Sequence, residues 1–301
     1  MKPAQGRWVS LLALLALSKS QTLPPCGVGV NTLVVSSTAE ALELTEALLC
    51  SGGQFEVVWL GEVLITSTIA VSDGTSLKIT GSPFGGQDVV DGGGEIRLFD
   101  VTLGATLELD SLSLVGGYSA SNGGGVALEG SSFDIPSLDI VDCSFVGNRA
   151  DAEDVDVGGG GAIYSSEGTI TIAGNSTFAS NFAGHSGGAI LSFYGTVSAE
   201  GRTTFTNNTA LSSQGGAVFM FAAEALTFRG ETIFADNSAG FGGAIYFFAA
   251  PFGDSLPTIF TVEGSSTFIN NTAENSGGKA RTGQRYHLTA GHCSTSNEDY
   301  M

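Results

Sequence analysis

A Gly-Gly-Ala-aliphatic tetrapeptide returns four times in this chain, starting at Gly160, Gly187, Gly215 and Gly242. A Phe-x-x-Asn tetrapeptide alternates with it, running from Phe178 to Asn181, Phe205 to Asn208, Phe234 to Asn237 and Phe268 to Asn271. No other feature constrains the fold as strongly. A unit of about 27 residues is too short to bury its own apolar face, so it must stack on its neighbours. In all four copies a glycine precedes the Phe by four residues, at Gly174, Gly201, Gly230 and Gly264, and an earlier copy runs from Phe145 to Asn148.

Upstream of each Phe lies a second pattern that reaches further back along the chain. One column reads Leu77, Leu107, Leu138, Ile170, Val197, Leu226 and Phe260. Two residues on, another reads Ile79, Leu109, Ile140, Ile172, Ala199, Phe228 and Val262. Between them stand Lys78, Glu108, Asp139, Thr171, Ser198, Thr227 and Thr261. Apolar, polar, apolar is the alternation of a half-buried strand, with the middle column facing solvent. Short strands, glycine turns and one register held over seven copies predict a parallel β-helix in which each repeat is one coil. A β-sandwich also yields short alternating strands but does not predict that register. About three strands per coil are expected: one after Gly-Gly-Ala, one at the aliphatic pair and one at the Phe.

The repeat residues then have structural roles. Gly-Gly (Gly160 and Gly161, Gly187 and Gly188, Gly215 and Gly216, Gly242 and Gly243) supplies a corner with positive φ. The Phe residues stack in the bore at strand spacing, roughly 4.8 Å. The Asn residues close the next turn, as residues that tolerate the left-handed region and bond backbone or the Asn above and below.

The ends depart from the repeat. Residues 1–20 carry Lys2 and Arg7 before an apolar run from Trp8 to Leu17, the layout of a secretory signal peptide cut near residue 20. Residues 21–55 form an N-terminal cap. Within it Ser37 and Glu40 have capping-box spacing, and Ala41, Leu44 and Leu48 form an apolar stripe, so a short helix is expected to close the first coil. Residues 56–278 are the β-helix, and 279–301 are a tail without the repeat. Cys26 and Cys50 flank one short segment and are the expected disulfide, which an oxidising compartment permits. Cys143 sits in a strand-like run and is expected to be a small buried hydrophobe.

Repeated Gly-Gly-Ala-Ile/Val alternating with Phe-x-x-Asn resembles the polymorphic outer membrane protein repeat of chlamydial surface proteins. The stretch from "IAVSDGTSLKITG" to "ATLELDSLSLVGG" resembles the first coils of the pectin lyase-like superfamily. Together the resemblances cover roughly residues 50–278. They imply a right-handed parallel β-helix, a place at the cell surface and a role in adhesion.

Chemistry is sparser. Glu108 and Asp139 fall on adjacent rungs beside Lys78, the nearest approach to a catalytic carboxylate cluster, and equally a solvated row with one cross-rung pair. "GHSGG" at 184–188 matches the nucleophile-elbow pattern around Ser186, but the repeat accounts for both later glycines, and an elbow must lead from a strand into a helix. Asp151, Glu153, Asp154 and Asp156 form an acidic loop whose oxygens suit Ca²⁺ or simply water. Asn175, Asn207 and Asn270 stand in Asn-x-Ser/Thr sequons, which a eukaryotic host would glycosylate.

Net charge is −19, and 20 of the 30 acids lie in residues 31–157. Nucleic acid is excluded as a partner, because phosphate binding needs clustered Lys and Arg. No later run is long and apolar enough to span a bilayer. The expectation is therefore a secreted or cell-surface β-helix without cofactor or catalysis. It would meet surface glycans or extracellular proteins through an extended polar face. The alternative is a carbohydrate-active or glycan-binding β-helix.

Overall fold

The computed structural model describes residues 30–49, 52–82, 88–151, 158–222, 224–248, 259–274 and 293–295. They fold as a parallel β-helix. All registers between named strands are parallel, and three sheets of 15, 7 and 6 strands run along the stack.

The seven-copy alignment is the register of the longest sheet. Lys78 pairs with Glu108, Glu108 with Asp139, Asp139 with Thr171, Thr171 with Ser198, Ser198 with Thr227, and Thr227 with Thr261. The flanking columns from Leu77 to Phe260 and from Ile79 to Phe228 are buried. Below residue 56 the stack continues: Val30–Val35 pairs in parallel with Gln54–Trp59. The helix Thr38–Ala47 connects these two strands. Ser37 is its N-cap and accepts from the Glu40 amide, while the Glu40 carboxylate accepts from the Ser36 amide at 2.6 Å. Ala41, Leu44, Ala47 and Leu48 are buried beneath it, so the predicted apolar stripe is the face that covers the first coil.

The coils that begin at Thr106, Ser137 and Thr169 have four strand segments, and the coils immediately before and after them have three, the number expected. In early coils the aliphatic strand and the Phe strand are separate, as in Thr169–Ala173 and Asn175–Ala179. In later coils they merge into 11-residue strands, Thr196–Thr206, Ala225–Ala235 and Ile259–Ile269. The joint is the glycine four before the Phe. Gly201, Gly230 and Gly264 have φ of 88°, 106° and 99°, and a Cβ on Gly230 would lie 2.2 Å from the Gly201 carbonyl oxygen. The extra segment is a two-residue strand after each Asn, such as Phe182–Ala183 and Thr209–Ala210. Its alanines, Ala150, Ala183, Ala210 and Ala239, point inward and are buried.

The Phe column stacks as expected. Ring centroids of Phe145, Phe178, Phe205, Phe234 and Phe268 are 4.9 Å apart at each step, with planes within 11° of parallel. That distance is the rung height, so each ring sits directly over the one before.

The Asn column is also a ladder, with one correction. The left-handed residue is the one before each ladder Asn: Gly147, Ser180, Asn207, Asp236 and Asn270 have φ of 64°, 54°, 53°, 54° and 51°. The ladder Asn itself turns its amide inward. The Asn181 Nδ2 donates to Asn208 Oδ1 at 3.0 Å and to the Phe145 carbonyl at 3.0 Å, and the Asn181 backbone N–H donates to the same Asn208 Oδ1 at 3.1 Å. The pattern repeats at Asn148, Asn208 and Asn237. Corner amides that would otherwise be buried without partners are thereby satisfied.

Two different constraints require the paired glycines. The first of each pair, Gly160, Gly187, Gly215 and Gly242, has φ between 60° and 67°. The second has ordinary φ but no room: a Cβ on Gly161, Gly188, Gly216 or Gly243 would meet a backbone oxygen of the next coil at 2.3, 2.1, 1.9 or 2.5 Å.

Cys143 is buried and free. Its burial pushes the thiol up to about 12 from 9.0, against weaker stabilisation by neighbouring backbone N–H groups. Two results are expected. Iodoacetamide at pH 8 will leave Cys143 unmodified in the native protein and label it after unfolding, as read by peptide mass mapping. Because the folded-state value is raised, the neutral thiol stabilises the fold fully below pH 9. That stability is lost as pH rises from 9 towards about 12. Cys143→Ala will flatten this part of the pH–stability profile. The expected Cys26–Cys50 disulfide lies outside the described residues. In the tail, Cys293–Thr295 adds a parallel strand against Ser266–Phe268.

Candidate functional site

The residues singled out in the sequence divide between three surfaces. On the longest sheet, Lys78 Nζ donates to Glu108 Oε2 at 2.8 Å, and Asp139 follows in register. The Lys78 ammonium is held above its usual range first by that hydrogen bond. Both partners are more than a third exposed, with side-chain exposures of 44% and 38%. This is a solvated cross-rung pair of small energetic weight. Further along the same outer surface, Arg229 sits between Glu200 and Glu263 at 3.4 and 3.1 Å.

The sequon asparagines are exposed: Asn175 directly follows the bend glycine at the start of a strand, and Asn207 and Asn270 occupy the left-handed corner positions. Of the acidic loop, Asp151 is described and pairs with Arg149 at 2.7 Å. Glu153, Asp154 and Asp156 lie outside the described residues. No group of three or more potential metal ligands occurs among the described residues.

Ser186 leads through Gly187 into the strand Ile190–Phe193, not into a helix. Its Oγ lies 3.0 Å from His185 Nδ1 and donates to Gln214 Oε1 at 3.2 Å. The hydroxyl thus contacts an imidazole and an amide on a turn that leads into a strand, not the strand-to-helix turn of a nucleophile elbow.

Ser186 instead lies at the border of a surface that alternation in the sequence did not reveal. The strands after Gly-Gly-Ala are four of the seven in the seven-stranded sheet. Their inward positions are Ile163 and Ser165, Ile190 and Ser192, Val218 and Met220, and Ile245 and Phe247. The intervening positions face outward, and they are mostly aromatic. One outward row reads Tyr164, Leu191, Phe219, Tyr246; the second reads Ser166, Phe193, Phe221, Phe248.

These side chains form an outer hydrophobic layer separate from the bore. Phe221 and Phe248 stack at 5.1 Å with planes 9° apart, and Phe193 lies 5.6 Å from Phe221. Tyr194, which follows the strand at φ 55°, stands perpendicular to Phe221 at 6.2 Å and 89°. Perpendicular neighbours present both ring faces and ring edges to the solvent side. Tyr164 and Phe219 are nearly covered, whereas Tyr194 and Phe248 are 47% and 36% exposed.

The layer lines a groove of about 540 Å³ bordered by Ser166, His185, Ser186 and Gln214. The Tyr164 hydroxyl is raised in pKa by burial first and by the nearby Glu129 carboxylate second, with a Ser166 hydrogen bond opposing. The expected polar character of the outer surface therefore holds on the longest sheet and fails on this one.

With the coil geometry in hand, the chain can be compared with known proteins. Residues 142–166, 202–220 and 231–247 match the Chlamydia polymorphic membrane protein repeat. No curated protein and no solved structure matches the chain. Each matched stretch begins shortly before a stacked Phe, passes the ladder Asn and ends in or at the edge of a strand of the aromatic sheet. The unmatched copy from Phe178 to Phe193 has the same ladder contacts and the same corner. The family model thus matches three stretches of the β-helix, each spanning a stacked Phe and its ladder Asn.

Proposed function

We propose that this protein is a surface-associated, non-enzymatic binding module that engages an extracellular partner through the aromatic face of its seven-stranded sheet. The repeat family suggests a surface-associated protein. Among the described residues, no helix is long and apolar enough to cross a membrane. The observation that carries the reading is the outward double row in four consecutive coils. An exposed aromatic layer costs solubility and contributes nothing to the bore, and such patches mark interaction sites. Secretion through the N-terminal signal and an adhesive or matrix role complete the proposal. The groove's serine leads into a strand rather than a helix, which favours binding over acyl transfer at a nucleophile elbow.

The test uses the full chain, labelled and applied to fixed cells and immobilised extracellular matrix. Tyr194→Ser with Phe248→Ser removes the two most exposed rings of that face and leaves the bore intact. Loss of aromatic anchors of this kind costs about 2 kcal/mol or more, so binding is expected to fall roughly thirtyfold with little change in thermal stability. Undiminished binding by the double variant overturns the proposal.

A further inference from the structure

We infer that the aromatic face takes an uncharged oligosaccharide chain, laid across successive coils along the solenoid axis. This rests on the reading of that face as the binding surface and names its ligand class.

Charge is the first argument. Among the described residues, the groove's lining contains no carboxylate, ammonium or guanidinium group, although the chain carries a net charge of −19. The acids crowd the coils before it: 20 of 30 lie in residues 31–157 and eight in 158–278. A uronate, sulfated or sialylated glycan would meet no Lys or Arg in the groove and a repulsive field from the acidic coils. A cationic peptide would find no carboxylate within the groove to pair with. An uncharged ligand matches this surface.

The second argument is the mixture of groups. Tyrosine hydroxyls, the Ser166 hydroxyl, His185 and the Gln214 amide border the rings, and together they offer neutral donors and acceptors. A purely apolar partner, such as the same face of a second copy, would strip water from these groups without replacing its hydrogen bonds. A sugar ring offers what the groove requires: an apolar C–H face for an aromatic ring, and hydroxyls around the rim for neutral polar groups.

The third argument is spacing. The outward row contributes one ring per coil, with Phe193, Phe221 and Phe248 separated by 5.6 and 5.1 Å. A linked pyranose chain advances by about the height of one rung per sugar. It can therefore keep step with the coils over several units. The groove's 540 Å³ lies within the size range of small-molecule sites and holds a few sugar units.

The experiment applies the labelled full chain to a printed array of neutral, acidic and amino glycans, with decalysine as a cationic control. Hits are titrated by calorimetry. Binding to at least one neutral oligosaccharide is expected, stronger for hexamers than for dimers and unchanged in 1 M NaCl. Tyr194→Ser with Phe248→Ser should weaken it at least tenfold. Three results overturn the inference. The first is binding to no neutral glycan while cell-surface binding still depends on the two rings. The second is salt-sensitive binding confined to acidic glycans or decalysine. The third is a concentration-dependent dimer that the same substitutions abolish. In all three the face remains a binding surface. Cell-surface binding that ignores the substitutions defeats the underlying functional reading instead, so the two failures are distinguishable.

Discussion

Gly216→Ala is expected to abolish cooperative folding. The added Cβ would lie 1.9 Å from the Gly243 carbonyl oxygen and 2.7 Å from the Ser238 nitrogen. Both are backbone atoms of the next coil, so no rotamer can yield. Relief requires moving the coils apart by about 1 Å or more, in an interior packed too tightly to absorb it. That breaks the Gly216 N–H bond to the Gly242 carbonyl and unseats the neighbouring rungs of all three sheets. Gly147→Ala is the informative control. Gly147 has φ 64°, but a methyl group there would have nothing within 4 Å. It should cost only the left-handed penalty of an L-residue, about 1–2 kcal/mol. Circular dichroism melts of the two variants separate crowding from backbone strain. A native-like transition for Gly216→Ala would show that the coils are not held at the spacing described.

Asn208→Ala carries the second large effect. Its side chain is buried and engaged on both sides. Nδ2 donates to the Phe178 carbonyl and to Asn237 Oδ1, and Oδ1 accepts from the Asn181 backbone N–H and Asn181 Nδ2. Alanine leaves the Asn181 N–H and the Phe178 carbonyl without these partners in the interior. Each such group costs about 1–3 kcal/mol. A loss of about 3 kcal/mol or more is expected, lowering the thermal midpoint by on the order of 10 °C. The exposed Asn175→Ala should stay within about 0.5 kcal/mol. Hydrogen exchange gives the local readout: protection of the Asn181 amide must fall in Asn208→Ala. Unchanged protection there would mean that water replaces the amide without loss.

The bore was legible in the sequence because it obeys two simple rules at once. Leu77 to Phe260 and Ile79 to Val262 alternate with polar residues, and Phe145 to Phe268 recur at fixed offsets from an Asn. Both patterns report one face of a strand. The corner was less legible. Asn is among the residues that tolerate positive φ, so the ladder Asn looked like the turn residue. The turn in fact falls on Ser180, Asn207, Asp236 and Asn270, a mixed set with no single signature. The aromatic face was hidden for a different reason. "AIYSS", "AILSF", "AVFMF" and "AIYFF" are apolar at nearly every position, so alternation is absent and the strands read as core on both sides. The clue available was that excess itself. The bore has room for one side chain in two, so Tyr164, Phe219 and Tyr246 could not all have been inside. The two-residue strands left almost no trace, since only the buried alanines beside each ladder Asn mark them.

The Asn ladder also gives the solenoid a chemical direction. Every amide points its nitrogen toward the following coil and its oxygen toward the preceding one. Two donors on each coil, the corner N–H and one amide hydrogen, are satisfied by a single oxygen that belongs to the next coil. A coil is therefore complete on its N-terminal side as soon as it docks, and unfinished on the other. A chain that emerges N-terminus first always shows the arriving segment two donors awaiting one acceptor. Head-to-tail stacking is thereby enforced, because a coil docking upside down on that face would bring donors to donors.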